Sequence, residues 1–257
     1  MFKHFTKCSV MCLLIYGAFA HSAYAQNLEG TKLRAEQGNT QAQNLLGTMY
    51  AYGLGIPKES DKALRWFREA ANQGHADAQL SLGFMYEYGN GIPKDDGEAV
   101  RWYRKAAEQG NANAQSSLGI KYAKGEGVSK DEAEAVRWFL KSAEQGYVQA
   151  QYDLAYAYAT GEGIPEDDGE AMRWFRKAAE QGMAAAQYKV GANYANGYGV
   201  NQNLSLSYQW LWLSALQGDP DALKGIERVA DLMTPNQIKE ARDLSSACFS
   251  NNYLGCD

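Results

Sequence analysis

The sequence predicts an all-α fold, an α/α solenoid of five 36-residue helical hairpins with a cap at each end. Three observations predict it. Gly38, Gly74, Gly110, Gly146, Gly182 and Gly218 stand 36 residues apart, and so do Trp66, Trp102, Trp138, Trp174 and Trp210. Tyr50, Tyr86, Tyr122, Tyr158 and Tyr194 keep the same step, as do the Ala-Gln pairs beginning at Ala42, Ala78, Ala114, Ala150 and Ala186. Within each unit, apolar residues recur at helical spacing on either side of a Gly-x-Gly break. A fixed period of this size marks an array of stacked supersecondary units, each burying its apolar face against its neighbours.

Residues 1–25 read as a signal peptide. Lys3 and Lys7 precede an apolar run from Cys8 to Ala20, and Ala23-Tyr24-Ala25 gives small residues at the cleavage site. The alternative is an uncleaved anchor, for which the run is short. Removing Lys3 and Lys7 takes the net charge from -5 to -7. The mature chain, 26–257, is expected in the periplasm or secreted. Residues 27–38 resemble the second half of a repeat, with a helix from about Leu28, and form an N-terminal cap.

The repeats run 39–74, 75–110, 111–146, 147–182 and 183–218. In the second, Ala78, Leu82 and Tyr86 share one face of a helix over about 77–88. Gly83 lies beside that face and recurs as Gly47, Gly119 and Gly191, with Ala155 as the exception. A missing side chain there admits a close neighbour; the alternative is a simple loss of helix propensity. Gly89 and Gly91 form the turn, and such a pair in every repeat reads as structure rather than phosphate binding. Asp95 and Glu98 fit a capping box at the second helix, as do Asp131 with Glu134 and Asp167 with Glu170. Val100, Trp102, Tyr103, Ala106 and Ala107 make its apolar stripe, and Gln109-Gly110 stops it. The Trp and Tyr ladders read as glue between helices. Residues 219–257 form the C-terminal cap: Asp219-Pro220 starts one helix and Thr234-Pro235-Asn236-Gln237 another, ending near Cys248.

Composition narrows the function. The chain of 257 residues is 46% hydrophobic and 21% charged, an ordinary globular balance. Its negative charge disfavours nucleic acid as a partner. After cleavage Cys248 and Cys256 remain, in an oxidising setting. A disulfide between them would pin the tail to the last helix for about 2–3 kcal/mol. The alternatives are two free thiols or bonds between chains. No CxxC, GxSxG or SxxK occurs. One mature histidine remains, His75, at a junction whose counterparts are Asn39, Asn111, Tyr147 and Met183, and it reads as solvent-exposed. One histidine cannot build a His-rich zinc centre. No cofactor, metal or catalytic residue is assigned, and a non-enzymatic role is expected.

The unit Ala78-Gln79-x-x-Leu82-Gly83, through Gly89-x-Gly91, to Ala99-x-x-Trp102-Tyr103-x-x-Ala106-Ala107-x-x-Gly110 resembles a Sel1-like repeat, a relative of the tetratricopeptide repeats. The resemblance covers about residues 27–247. The last unit departs from it, with Asn201 at the turn Pro, Leu204 and Leu206 in place of acidic starters, and Trp210-Leu211-Trp212 in the second helix. The resemblance implies a right-handed superhelix and a scaffold or adaptor for a protein or peptide, in envelope function or host interaction. It also implies two other classes: a weak β-lactamase-like or cell-wall peptide-acting enzyme, and a structural part of a flagellar motor or secretion assembly. The cysteine pairs of the β-lactamase branch are missing from these repeats.

First helices line the inner, concave groove in the tetratricopeptide relatives. Three positions on one face of the first helix escape the repeat rule. From them come the candidate partner-binding residues Tyr52, Leu80, Phe84, Tyr88, Ile120, Lys124, Tyr152, Tyr156 and Tyr188. Tyr and Phe are good interface anchors. The alternative is that these side chains fill gaps between helices.

Overall fold

A computed structural model describes residues 28–250 and Tyr253. The signal-peptide segment 1–25 and Cys256 lie outside the described residues. Among the described residues thirteen helices follow one another: α1 Leu28–Glu36, α2 Thr40–Tyr52, α3 Ser60–Asn72, α4 Ala76–Tyr88, α5 Asp96–Glu108, α6 Ala112–Lys124, α7 Glu132–Glu144, α8 Val148–Thr160, α9 Asp168–Glu180, α10 Ala184–Asn196, α11 Leu204–Leu216, α12 Pro220–Ala230 and α13 Pro235–Ser250. Among the described residues every regular element is helical. The chain divides into two compact units. The first holds α1–α5, the second α7–α13, and α6 contributes to both.

In the first unit α2 pairs with α3 and α4 with α5, while α1 packs on α2 and α3 on α4. The second repeats the scheme: α8 pairs with α9 and α10 with α11, and α7 packs on α8 and α9 on α10. Both α12 and α13 pack on α11. The helix starts follow from local chemistry. Asp95, Asp131 and Asp167 each accept the backbone N–H three residues on, at 3.0, 2.9 and 2.9 Å. Asn203 does the same for α11, which lacks acidic starters. The glutamates of the capping boxes pair with Arg101, Arg137 and Arg173 one turn further. Thr234 and Gln237 complete a reciprocal box at α13. Asp219 caps α12, with Pro220 at its first position.

His75 differs from the sequence expectation. It is half-buried and caps α4, its Nδ1 accepting from the Ala78 N–H at 3.3 Å while Nε2 meets Gln41 at 2.9 Å. Asn39 and Asn111 cap α2 and α6 in the same way. At these three junctions the side chain therefore serves the helix start, whereas Tyr147 and Met183 make no such hydrogen bond.

The repeated glycine of the first helix marks a contact. A Cβ at Gly119 would sit 2.6 Å from the Phe139 ring, and one at Gly47 2.7 Å from Phe67. At these positions the phenylalanine of the second helix lies against the bare backbone of the first, which decides for close approach over lost propensity. The ladder tryptophans are buried, and Trp102 of α5 inserts among Ala63, Leu64 and Phe67 of α3 and Ala78, Leu82 and Met85 of α4. It thereby ties one hairpin to the preceding one.

The glutamine ladder has a polar role. Gln151 is buried; its amide donates to the Ala143 carbonyl at 3.3 Å, and its oxygen accepts from Gln181 at 2.8 Å. Gln43, Gln79 and Gln187 donate likewise to Ala35, Ala71 and Ala179 and accept from Gln73, Gln109 and Gln217. Each glutamine links the end of one second helix to the end of the next. Gln151→Leu fills the same space but takes one hydrogen bond from the Ala143 carbonyl, which keeps the Gly146 N–H, and one from the Gln181 amide, which keeps the Gly146 carbonyl. It is expected to cost about 0.5–1.5 kcal/mol, read as a lower urea midpoint.

At the C-terminus Cys248 is buried and disulfide-bonded. The N–H of Tyr253 donates to the Cys248 carbonyl at 3.0 Å, and its ring reaches Gly182. The tail thus folds back onto the end of α9.

Candidate functional site

The nine candidate contact residues separate by depth. Tyr52, Tyr88, Lys124 and Tyr156 are exposed, Tyr52 and Tyr88 to 74% and 66%. Leu80, Phe84, Ile120, Tyr152 and Tyr188 are half-buried. Phe84 meets Tyr103 edge-on and stacks with Tyr88, at centroid distances of 5.5 and 6.3 Å. Tyr152 lies edge-on to Phe175 at 5.4 Å. Tyr188 packs against the cluster of Tyr208, Leu211 and Ala222. The half-buried five therefore combine packing with access, and of the exposed four Tyr88 also stacks on Phe84.

Between successive hairpins the structure opens clefts that share one register. In the first unit a cleft of about 170 Å³ lies among α2, α3 and α4, with Tyr52, Phe67, Ser81 and Phe84 in its lining. In the second unit a cleft of about 180 Å³ lies among α6, α7 and α8, lined by Ile120, Val136, Phe139, Asp153 and Tyr156. A broader one of about 420 Å³ lies among α8, α9 and α10, with Phe175, Lys189 and Asn193. Phe67, Phe139 and Phe175 are equivalent residues and form a constant aromatic wall. Ser81, Asp153 and Lys189 are equivalent too, so the same place is neutral, acidic or basic by turns. This register had not been singled out from the sequence, although an acid stands there once against Leu45, Ser81, Ser117 and Lys189.

Asp153 is the most perturbed group of these clefts. Its Oδ1 accepts from Gln149 Nε2 at 2.9 Å, while Oδ2 is buried without a hydrogen-bond partner. Burial pushes its carboxyl up to about 6; the Gln149 hydrogen bond and the Lys124 charge only partly oppose this. Burial, reinforced by the Asp153 charge, raises the Tyr152 phenol above its ordinary range. On the other unit, burial and a hydrogen bond to Glu87 raise Tyr103 strongly. Among the described residues no three His, Cys, Asp or Glu side chains gather as a metal site, and no helix is long and apolar enough to cross a membrane.

The Sel1 repeat pattern matches residues 40–75, 76–111, 112–147, 148–183 and 184–219. The chain belongs to the Sel1 repeat family. It is similar to a Sel1 repeat protein from Oxalobacter formigenes, with 34% identity, a TM-score of 0.76, and 90% of this chain and 98% of that one covered. A protective antigen present in uropathogenic Escherichia coli strains, with an SLR fold, is 29% identical at a TM-score of 0.60. That alignment covers 90% of this chain and 58% of the antigen. A Sel1 repeat protein from Klebsiella pneumoniae subsp. pneumoniae is 25% identical at a TM-score of 0.50, with 78% and 98% covered. No curated protein matches the chain. Sel1 repeats form tetratricopeptide-like α-solenoids typical of protein–protein interaction scaffolds. In this Sel1 protein the variable residues Tyr52, Phe84, Ile120, Lys124 and Tyr156 line these clefts, whereas Leu80, Tyr88, Tyr152 and Tyr188 do not.

Proposed function

We propose that the protein is an exported adaptor that holds an extended segment of another protein along the first-helix face, cleft by cleft. One observation carries this reading: clefts recur at a fixed register with a constant aromatic wall and a residue of changing polarity. Constant walls take apolar stems, and a changing position reads identity. The reading is of a binding rather than a catalytic protein. Export is supported by the basic start, apolar run and Ala-Tyr-Ala site of residues 1–25. The protective antigen among the similar proteins fits a role at the cell envelope or in host interaction.

The exposed tyrosines test it. Replacing Tyr52, Tyr88 and Tyr156 together by alanine removes the accessible anchors and leaves the buried contacts in place. The helical circular-dichroism spectrum is expected to stay unchanged. Partner recovery in a crosslinked pulldown from the protein's own cells should fall at least about tenfold, a modest loss for three aromatic anchors. Full recovery would contradict the first-helix face as the binding surface.

A further inference from the structure

The cleft among α6, α7 and α8 carries the carboxylate of Asp153 where its counterparts carry Ser81 and Lys189. Its walls are apolar, with Ile120 from α6, Val136 and Phe139 from α7, and Ala157 from α8. Asp153 is part of that lining, and its Oδ2 is buried without a hydrogen-bond partner. Glu132 and Glu162 also line the cleft, and Lys124 is its one cationic lining residue. Glu132 is already paired with Lys130 at 2.7 Å. Setting Lys124 and Lys130 against the three carboxylates leaves an excess of negative charge beside an apolar wall. An occupant that satisfies both must carry a hydrocarbon stem and a cationic head. Lysine and arginine side chains have that form.

We propose that this cleft receives a lysine or arginine side chain of the bound polypeptide, its methylenes against Phe139 and Val136 and its cationic head donating to the Asp153 carboxylate. The equivalent cleft around Ser81 serves as an internal control. Lys58 is the charged side chain of its lining, so that cleft does not select a basic residue. The inference rests on the adaptor reading and adds to it the chemistry of one anchor.

The test is selection from a random dodecapeptide library displayed on phage, panned on the purified protein and on Asp153→Asn. The variant keeps the shape of the cleft and the acceptor for Gln149. Peptides from the unsubstituted protein should concentrate Lys or Arg at one position beside apolar residues, and the variant should lose that preference. A synthetic peptide from the pool should bind Asp153→Asn at least about tenfold more weakly, as expected when one partner of a desolvated charge pair is removed. Exchanging its basic residue for Met should weaken binding to the unsubstituted protein and have little effect on the variant. Selected peptides without a basic preference, or equal affinity for both proteins, would overturn the anchor while leaving the adaptor reading in place. Displacement of the peptide by spermidine at matching affinity would assign the cleft to polyamines and likewise overturn it. Failure to select any peptide would sink the adaptor reading, and this inference with it.

Discussion

Trp102→Ala is expected to cost about 3–5 kcal/mol of stability, the range for truncating a buried Trp or Phe. The indole is 5% exposed and lies among side chains of α3 and α4. Its Nε1 has no hydrogen-bond partner, so the loss is one of packing and cavity rather than of a polar contact. Arg101 and Lys105 lie over the ring at 5.4 and 4.3 Å, and their cation–π attraction goes too. Trp102→Phe keeps part of the wedge and should cost clearly less. The effect belongs to the junction between hairpins, where a repeat protein draws its cooperativity. Urea unfolding followed by circular dichroism should show a lower midpoint for Trp102→Ala, with a broadened transition as the hairpins uncouple. A midpoint shifted by less than that of Trp102→Phe would show that the tryptophan ladder is not the glue.

Asp153→Asn is expected to stabilise the fold, and to do so only where the aspartate is charged. The folded carboxyl titrates near 6 against an ordinary 3.8. The folded state therefore holds its proton more tightly than the unfolded one. The contribution of this group to stability is greatest below about pH 4, falls as pH rises toward 6, and stays reduced above it. The shift corresponds to about 3 kcal/mol, and partial exposure brings the expected gain at pH 7.5 to about 1–3 kcal/mol. Melting temperatures at pH 7.5 and 4.0 give the check: a rise of several degrees at the higher pH, and little at the lower. A charge that weakens the fold and stands in the lining of a cleft is the pattern of a group kept for binding. The stabilised variant also protects the peptide test, because weaker binding could not be blamed on unfolding.

The repeat itself was written plainly in the residues. The helix starts at Leu28, Pro220 and Pro235, the aspartate caps and the Gly-x-Gly turns follow from local chemistry, and fivefold recurrence makes the pattern unmistakable. What the sequence did not show depends on partners distant along the chain. The Ala-Gln step was visible, yet Gln151 needs Ala143 on one side and Gln181 on the other before its role appears. His75 looks exposed until the start of α4 claims its ring. Lys121 occupies the place of Met49 and Met85 and is buried with them, against its ordinary preference. Of the candidate contacts, Tyr52, Tyr88, Lys124 and Tyr156 stand open, while Tyr152 and Phe84 lean into the packing. Periodicity gives the face of a helix, and only the neighbouring hairpin decides how deep a side chain on that face sits. Asp153 escaped for the same reason: a single acid on a surface helix looks solvated until α6 and α7 close around it.

Amide hydrogen exchange of the protein with and without a selected peptide tests the binding face most directly. Added protection should fall in the second halves of α6 and α8, around Ile120–Lys124 and Asp153–Thr160, with the stretch of α7 that faces the cleft. Protection confined to the outer sides of α5, α7 and α9, with α6 and α8 unchanged, would place the partner elsewhere and contradict it.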